Sequence, residues 1–467
     1  MRLMVSGGTV VTADSAQLLD VLVEGERIVG LSAPESELSR WFQAGCDRRI
    51  DATGRYVVAG GVDVHTHMEM PFGGTFAADT FETGTRAAIW GGTTTIVDFA
   101  IQPRGGSLHQ GLEEWHRKAQ GRCASDYGFH LILSDVRDDS LLEMDQLVEE
   151  GITSFKLFMA YPGVFYSTDG QILQAMRRAA GNGALIQMHA ENGLAIDELT
   201  KQALAAGETA PRFHGSTRPA GLEAEATHRA IELARVAGAP LYIVHLSAAA
   251  ALEEVACARD RGQAVFAETC PQYLFLSEDD LARPGFEGAK FVCSPPLRTE
   301  LDQRALWRGL VTDDLSVVAT DHCPFCFKEQ KELGRDDFTK IPNGLPGVEH
   351  RMDLIYQGVV AERIGLCRWA EVPSAAPAKM FGLYPQKGSL APGSDADIVV
   401  YNPAARQTLS AARHHMAVDY SCYEQMEITG AVETVLLRGT VVLEDGRYRG
   451  RPGDGRFVPR GLCQFPV

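Results

Sequence analysis

Eight short runs of β-branched and aromatic residues recur through the middle of this chain, and their alternation with helical patterns restricts the fold more than any other feature. The runs lie at 62–65, 94–99, 128–133, 154–159, 185–189, 241–246, 264–269 and 316–320. Helical patterns at 222–237, 249–260 and 301–310 fall between or after them, with apolar positions three and four apart. Strand and helix in alternation mark βαβ units and a parallel sheet. Eight repeats predict closure into a (β/α)8 TIM-like barrel of the α/β class. The rival is an open doubly wound sheet, but the chain carries no G-x-G-x-x-G or P-loop turn to support a nucleotide site there.

At 467 residues the chain exceeds one ordinary core, so a smaller companion domain is expected. Near the start Leu3, Val5, Val10 and Val11, then Val21, Val23 and Ile28, alternate as short strands, with turns expected at Gly7-Gly8 and Gly25-Glu26. Toward the end, 388–401 reads as a turn followed by a strand, and 435–443 with Asp445-Gly446 reads as a hairpin arm. Neither piece encloses much core alone. Residues 1–57 and 386–467 are therefore expected to join in one β-sandwich, leaving 58–385 for the barrel.

A net charge of −17 argues against a binder of phosphate backbones, which relies on clustered Lys and Arg, so no nucleic-acid partner is expected. No apolar stretch approaches the roughly 20 residues of a membrane span, and no membrane partner is expected. Met1 leads into a strand-like segment without the pattern of a secretory signal, which makes a cytoplasmic location the expectation. The ten cysteines then read as thiols. Cys323-Pro-Phe-Cys326 spells C-x-x-C, but no second such pair accompanies it, and Cys326 has no assigned role.

The chemistry-bearing residues fall at strand ends, on the face where barrel enzymes place their sites. His65 and His67 close the first run, and a period of two turns both imidazoles to the barrel interior. His189 ends the fifth run, the sixth carries His245, and Asp321 follows the eighth. His109, His116, His228, His414 and His415 lie in helical or loop contexts and read as ordinary surface residues. Lys156 sits inside the fourth run, where a buried ammonium is expensive. It either pairs with a carboxylate, or loses its proton, captures carbon dioxide and serves as an anionic carbamate ligand.

Gly61-Val-Asp-Val-His-Thr-His67, Phe155-Lys-Leu-Phe-Met-Ala-Tyr161, Glu268-Thr-Cys-Pro-Gln-Tyr273, Ser294-Pro-Pro-Leu-Arg298, Thr320-Asp-His-Cys-Pro324 and Ile341-Pro-Asn-Gly344 together resemble the dihydropyrimidinase and D-hydantoinase branch of the amidohydrolase superfamily. The resemblance runs across almost the whole chain. It implies two zinc ions, one held by His65, His67, carboxylated Lys156 and Asp321, the other by the same carbamate with His189 and His245. Paired cations about 3.5–4 Å apart lower the pKa of a shared water toward about 7. The resemblance further implies ring opening of 5,6-dihydropyrimidines or 5-substituted hydantoins to N-carbamoyl amino acids, with Asp321 carrying the proton and Tyr161 donating to the developing oxyanion. Ser294 and Asn343 match positions whose main-chain groups hold the cyclic substrate, and a homotetramer is implied.

Met70, Phe72, Phe158 and Phe165 lie on or beside the rim loops as candidates for the wall that receives an exocyclic group. Packing into the core explains each of them equally well, and a rim-packing aromatic is the plain alternative for Tyr161. Allantoinase or dihydroorotase chemistry would use nearly the same ligands. A dihydroorotase, however, should supply Arg and Asn near the first histidines, where this chain has Met-Glu-Met-Pro-Phe. A scaffold relative without catalysis would lack ligand residues, and here every ligand position is filled.

Overall fold

The computed structural model describes residues 1–465. At its centre lie eight parallel strands: β1 (Gly61–Thr66), β2 (Thr93–Ile101), β3 (Asp126–Ile132), β4 (Ser154–Phe158), β5 (Leu185–His189), β6 (Leu241–Ile243), β7 (Val265–Thr269) and β8 (Val317–Val318). Each strand neighbours the next one in the chain. The two ends of this order meet through a parallel bridge between Thr66 and His322. Across that seam the His67 N–H donates to the His322 carbonyl at 2.9 Å, and Thr320 Oγ1 donates to Asp63 Oδ2 at 2.7 Å. The barrel is thus closed, and the open-sheet rival is excluded.

Nearly every residue of these strands is buried, as expected when helices cover one face and side chains fill the other. Two runs end earlier than the sequence suggests. β6 stops at Ile243 and β8 at Val318, and shortly beyond them His245 and Asp321 take φ of 40° and 51°, left-handed values that no strand accommodates. His245 therefore sits on the loop after its strand rather than within it. The expected helices are present as Ala220–Ala237, Ala249–Asp260 and Glu300–Thr312. The last begins with Thr299 and Asp302 capping each other's backbone N–H groups.

The terminal segments form one nine-stranded sheet that joins Arg2–Val11, Ala16–Glu24, Arg27–Ser32, Arg48–Asp51 and Tyr56–Ala59 to Ile398–Thr408, Glu427–Leu437, Thr440–Glu444 and Arg447–Tyr448. Its apolar cluster includes Leu3, Val5, Val21, Ile28, Ile50, Ile398 and Leu436, drawn from both ends of the chain. Two local readings need correction. Gly7-Gly8 is a bulge inside one long strand, where φ of 73° at Gly7 lets the strand change partners from Arg48–Asp51 to Tyr56–Ala59. The segment 435–443 is not a single arm, because it turns at Arg438-Gly439 before the further turn at Asp445-Gly446.

Sheet and barrel are pinned together by charge. Lys387, fully buried, bonds Asp126 at the start of β3 and lies 2.9 Å from both Asp395 and Asp397, while Arg438 reaches the same Asp126. A buried ammonium is tolerable here because several carboxylates surround it. Among the described residues no helix is long and apolar enough to cross a membrane, and all ten cysteines are free, Cys323 and Cys326 included.

One buried carboxylate predicts a pH effect. On the helix Arg351–Val360, burial pushes Asp353 up to about 7, only partly offset by the Tyr401 hydroxyl and a 2.9 Å bond from Gln407. The folded state then holds a proton that the unfolded chain releases near pH 4, so stability falls as pH rises from about 4 to about 7. The Asp353→Asn variant is expected to lose that slope and to gain roughly 2–4 kcal/mol at pH 8. Melting temperatures of both proteins at pH 5 and pH 8 check this, and parallel pH profiles would contradict it.

Candidate active site and metal centre

A pocket opens at the C-terminal mouth of the barrel. His67, Lys156, His189, His245 and Asp321 line its floor, Met70, Phe72, Phe158, Tyr161 and Phe165 its wall, and Ser294, Cys323, Asn343 and Gly344 its far side. Every candidate residue named from the sequence is on this lining except His65, which lies directly beneath. His65 is 5.1 Å from His67 and 5.3 Å from His245 between ring centroids, and His189 is 4.5 Å from His245. Five separated strand ends therefore deliver one cluster.

The ligand-type atoms point inward and are held there. His65 Nε2 and His67 Nε2 both lie 3.2 Å from Asp321 Oδ1. Behind them His65 Nδ1 bonds Glu268, which also accepts from the Tyr242 hydroxyl at 2.9 Å and the His245 N–H at 3.1 Å. His189 Nε2 bonds Glu191 at 2.7 Å, which leaves its Nδ1 for the cluster. Asp98 fixes the loop carrying His67 by accepting from Thr66, the Met68 N–H and the Trp115 indole. The sequence reading assigned no role to Glu268, Glu191 or Asp98, although Glu268 opens one of the quoted motifs. The available signal was the same one that marked Lys156, a charged residue inside or at the end of an apolar run.

Electrostatics follow from burial. Burial, with the nearby Lys156, keeps His65 well below its ordinary value, and burial with His189 does the same for His245, so both are neutral imidazoles with free lone pairs. Burial alone would raise Asp321, yet the facing His65 and His67 hold it at about 2. Lys156 is pushed down to about 8 by burial, against the pull of Asp321 and Glu268. Its Nζ lies 3.1 Å from His65 Nε2 and 4.3 Å from the Phe99 ring centroid, and among the described residues no carboxylate is within ion-pairing distance. The plain alternative for Lys156, a buried ion pair, is therefore not what surrounds it.

The donor set fits a metal. His65, His67 and Asp321 bring their ligand atoms within 4.8 Å of one another, all buried. His67 Nδ1 and His245 Nδ1 are buried without hydrogen-bond partners. Imidazole nitrogen with carboxylate oxygen suits zinc and its first-row neighbours. Tyr161, His245 and Asp321 also share φ values between 40° and 59°, conformations costing of order 1 kcal/mol or more each and concentrated at functional sites.

The Amidohydrolase family pattern matches residues 56–442, which is most of the chain and the whole barrel. The chain belongs to the amidohydrolase family. That family is metal-dependent, in agreement with the His65, His67 and Asp321 cluster. This amidohydrolase is 65% identical over 464 residues to a D-hydantoinase of Streptomyces coelicolor, covering 99% of each chain. Among solved structures it resembles a dihydropyrimidinase from Brevibacillus agri, at 48% identity and a TM-score of 0.96 over the full length of both. An L-hydantoinase from Arthrobacter aurescens is more distant, at 31% identity and a TM-score of 0.88 over 98% of this chain and 99% of that one.

Some histidines read as surface residues do other work in this amidohydrolase. His116 packs edge-on against Phe129 and Phe457, and His415 stacks on Trp90 at 3.8 Å while bonding Glu349. Both are half-buried because the chain's last residues and the terminal sheet cover them, which no local pattern shows. His109 and His228 are surface partners of Glu150 and Glu254.

Proposed function

We propose that this amidohydrolase opens the ring of 5-substituted hydantoins and 5,6-dihydropyrimidines by hydrolysis to N-carbamoyl amino acids. The observation that carries the reading is a set of free main-chain groups beside the ligand cluster. Among the described residues, the backbone N–H and C=O of Ser294 and Asn343 have no intramolecular partner, although both residues line the pocket. Ser294 is buried and Asn343 half-buried on the pocket lining, so these four groups are available to pair with a ligand there. A cyclic imide or ureide edge, with alternating N–H donors and carbonyl acceptors, supplies the complement. The hydantoinase and dihydropyrimidinase names of the relatives support the same substrate class.

His65, His67, Asp321 and a carbamate on Lys156 would hold one zinc ion, and that carbamate with His189 and His245 the other. Two such cations supply Lewis-acid polarisation of the scissile carbonyl and an acidified water. Asp321, a carboxylate at neutral pH, accepts the water proton and returns it to the leaving nitrogen. Burial, reinforced by the charge of Glu191, raises the Tyr161 phenol, so it remains a donor over the working range. Its hydroxyl serves the oxyanion. Met70, Phe72, Phe158 and Phe165 form an apolar wall for the substituent at the 5 position, with Phe158 and Phe165 stacked at 5.0 Å.

Tyr161→Phe is expected to lower kcat by about 10²–10³ with little change in metal content, the loss typical of one oxyanion donor. A kcat within threefold of the parent would remove Tyr161 from that role. The test of the function itself is a ring-opening assay of the zinc-loaded protein with dihydrouracil, hydantoin, phenylhydantoin, allantoin and dihydroorotate side by side. Turnover confined to either of the last two would overturn the assignment. Light scattering checks the homotetramer.

A further inference from the structure

Lys331 is fully buried, and nothing in the chemistry above uses it. It opens a short 3-10 turn, Lys331–Gly334, beyond the loop that carries Asp321. Among the described residues it has no carboxylate partner. Instead its Nζ donates to three main-chain carbonyls, those of Val292 at 2.9 Å, Pro342 at 2.7 Å and Gly344 at 2.8 Å. An ammonium has three hydrogens on tetrahedral axes, and here all three are placed. Such a charge stays buried only where each donor is satisfied, and charge-assisted bonds are the strong ones.

The carbonyls it selects are informative. Val292 stands two residues before Ser294, and Pro342 and Gly344 flank Asn343, the two pocket residues whose backbone groups are free. The segments also touch each other: the Gly344 N–H donates to the Val292 carbonyl at 3.0 Å, and Asn343 Nδ2 donates to Ser294 Oγ at 3.0 Å. Gly344 also packs closely on the loop that carries Asp321, since with φ of 145° a Cβ there would lie 2.2 Å from the Cys323 carbonyl. Because the Pro342 carbonyl and the Asn343 N–H belong to one peptide unit, a cation on the former polarises the latter as a donor.

We propose that Lys331 is a positioning residue for substrate recognition, clamping the Ser294 and Asn343 segments at the separation a cyclic imide or ureide requires. This rests on the cyclic-amide reading, and the substrate panel on the parent protein judges that reading separately. Arginine would not replace the clamp, because its planar fork cannot converge on three carbonyls from one nitrogen.

The test pairs kinetics with backbone hydrogen exchange on zinc-loaded Lys331→Met and Lys331→Arg. With hydantoin or dihydrouracil, KM is expected to rise at least about tenfold while kcat stays within about threefold and zinc content is unchanged. In both variants exchange of the bonded Val292 and Gly344 amides, in the two clamped segments, should quicken at least about tenfold, but not exchange in 61–67 or 154–158. Exchange is read without turnover, so it judges the clamp even if the parent opens neither ring. If Lys331→Met does not accumulate as folded protein, Lys331→Arg alone decides by the same measurement. Unchanged exchange in the two segments overturns the proposal, as does an unchanged KM, or a loss of zinc and kcat with KM preserved.

Discussion

Lys156→Ala is expected to lower ring-opening turnover by at least about 10³-fold, more than about 4 kcal/mol of barrier, and to lose most of its bound metal. The side chain lies at the centre of the ligand cluster, 3.1 Å from His65 Nε2, and no carboxylate is close enough to explain its burial. A bare ammonium there would repel cations from the very atoms that fit them. A carbamate reverses the charge and supplies two oxygens, and an amine titrating at about 8 is neutral often enough near pH 7 to react with carbon dioxide. Alanine would remove the proposed bridge. Short carboxylates such as acetate or propionate are expected to restore part of the activity, while the fold, held by contacts elsewhere, remains. Metal analysis beside the kinetic assay checks the prediction, and full zinc occupancy with normal turnover would refute the carbamate bridge.

The second large effect is expected at Asp321. Asparagine preserves its shape and one oxygen donor but cannot take a proton. For Asp321→Asn, kcat should fall by about 10³, within the range for a lost general base, with a much smaller change in KM and part of the metal retained. The contrast with Lys156→Ala separates proton transfer from assembly of the centre. A variant turning over within tenfold of the parent would show that another group handles the proton.

How much of this was legible in the chain depends on range. The barrel strands could be read because a parallel sheet is covered on both faces, which makes its strands short, continuous apolar runs. His65, His67, His189 and Asp321 could be read because they interrupt such runs at their ends. The position of His245 was less legible, since β6 ends three residues earlier than its apolar run and nothing local announces the left-handed backbone at His245. Glu268 stayed hidden for another reason. Its value lies in meeting His65, 203 residues away, and a carboxylate on β7 shows no sign of that partner until the barrel closes. Lys331 likewise acquires meaning only from three carbonyls in two other loops.

The ion cluster around Lys387 carries a consequence for anyone who would treat the barrel as a portable module. Asp126 belongs to β3, but both of its cations, Lys387 and Arg438, come from sequence beyond the last barrel helix. Excising the barrel would strand an anion at the foot of a central strand. The terminal sheet is thus better regarded as a keystone than an accessory, and transplants of this catalytic mouth should carry both chain ends with them.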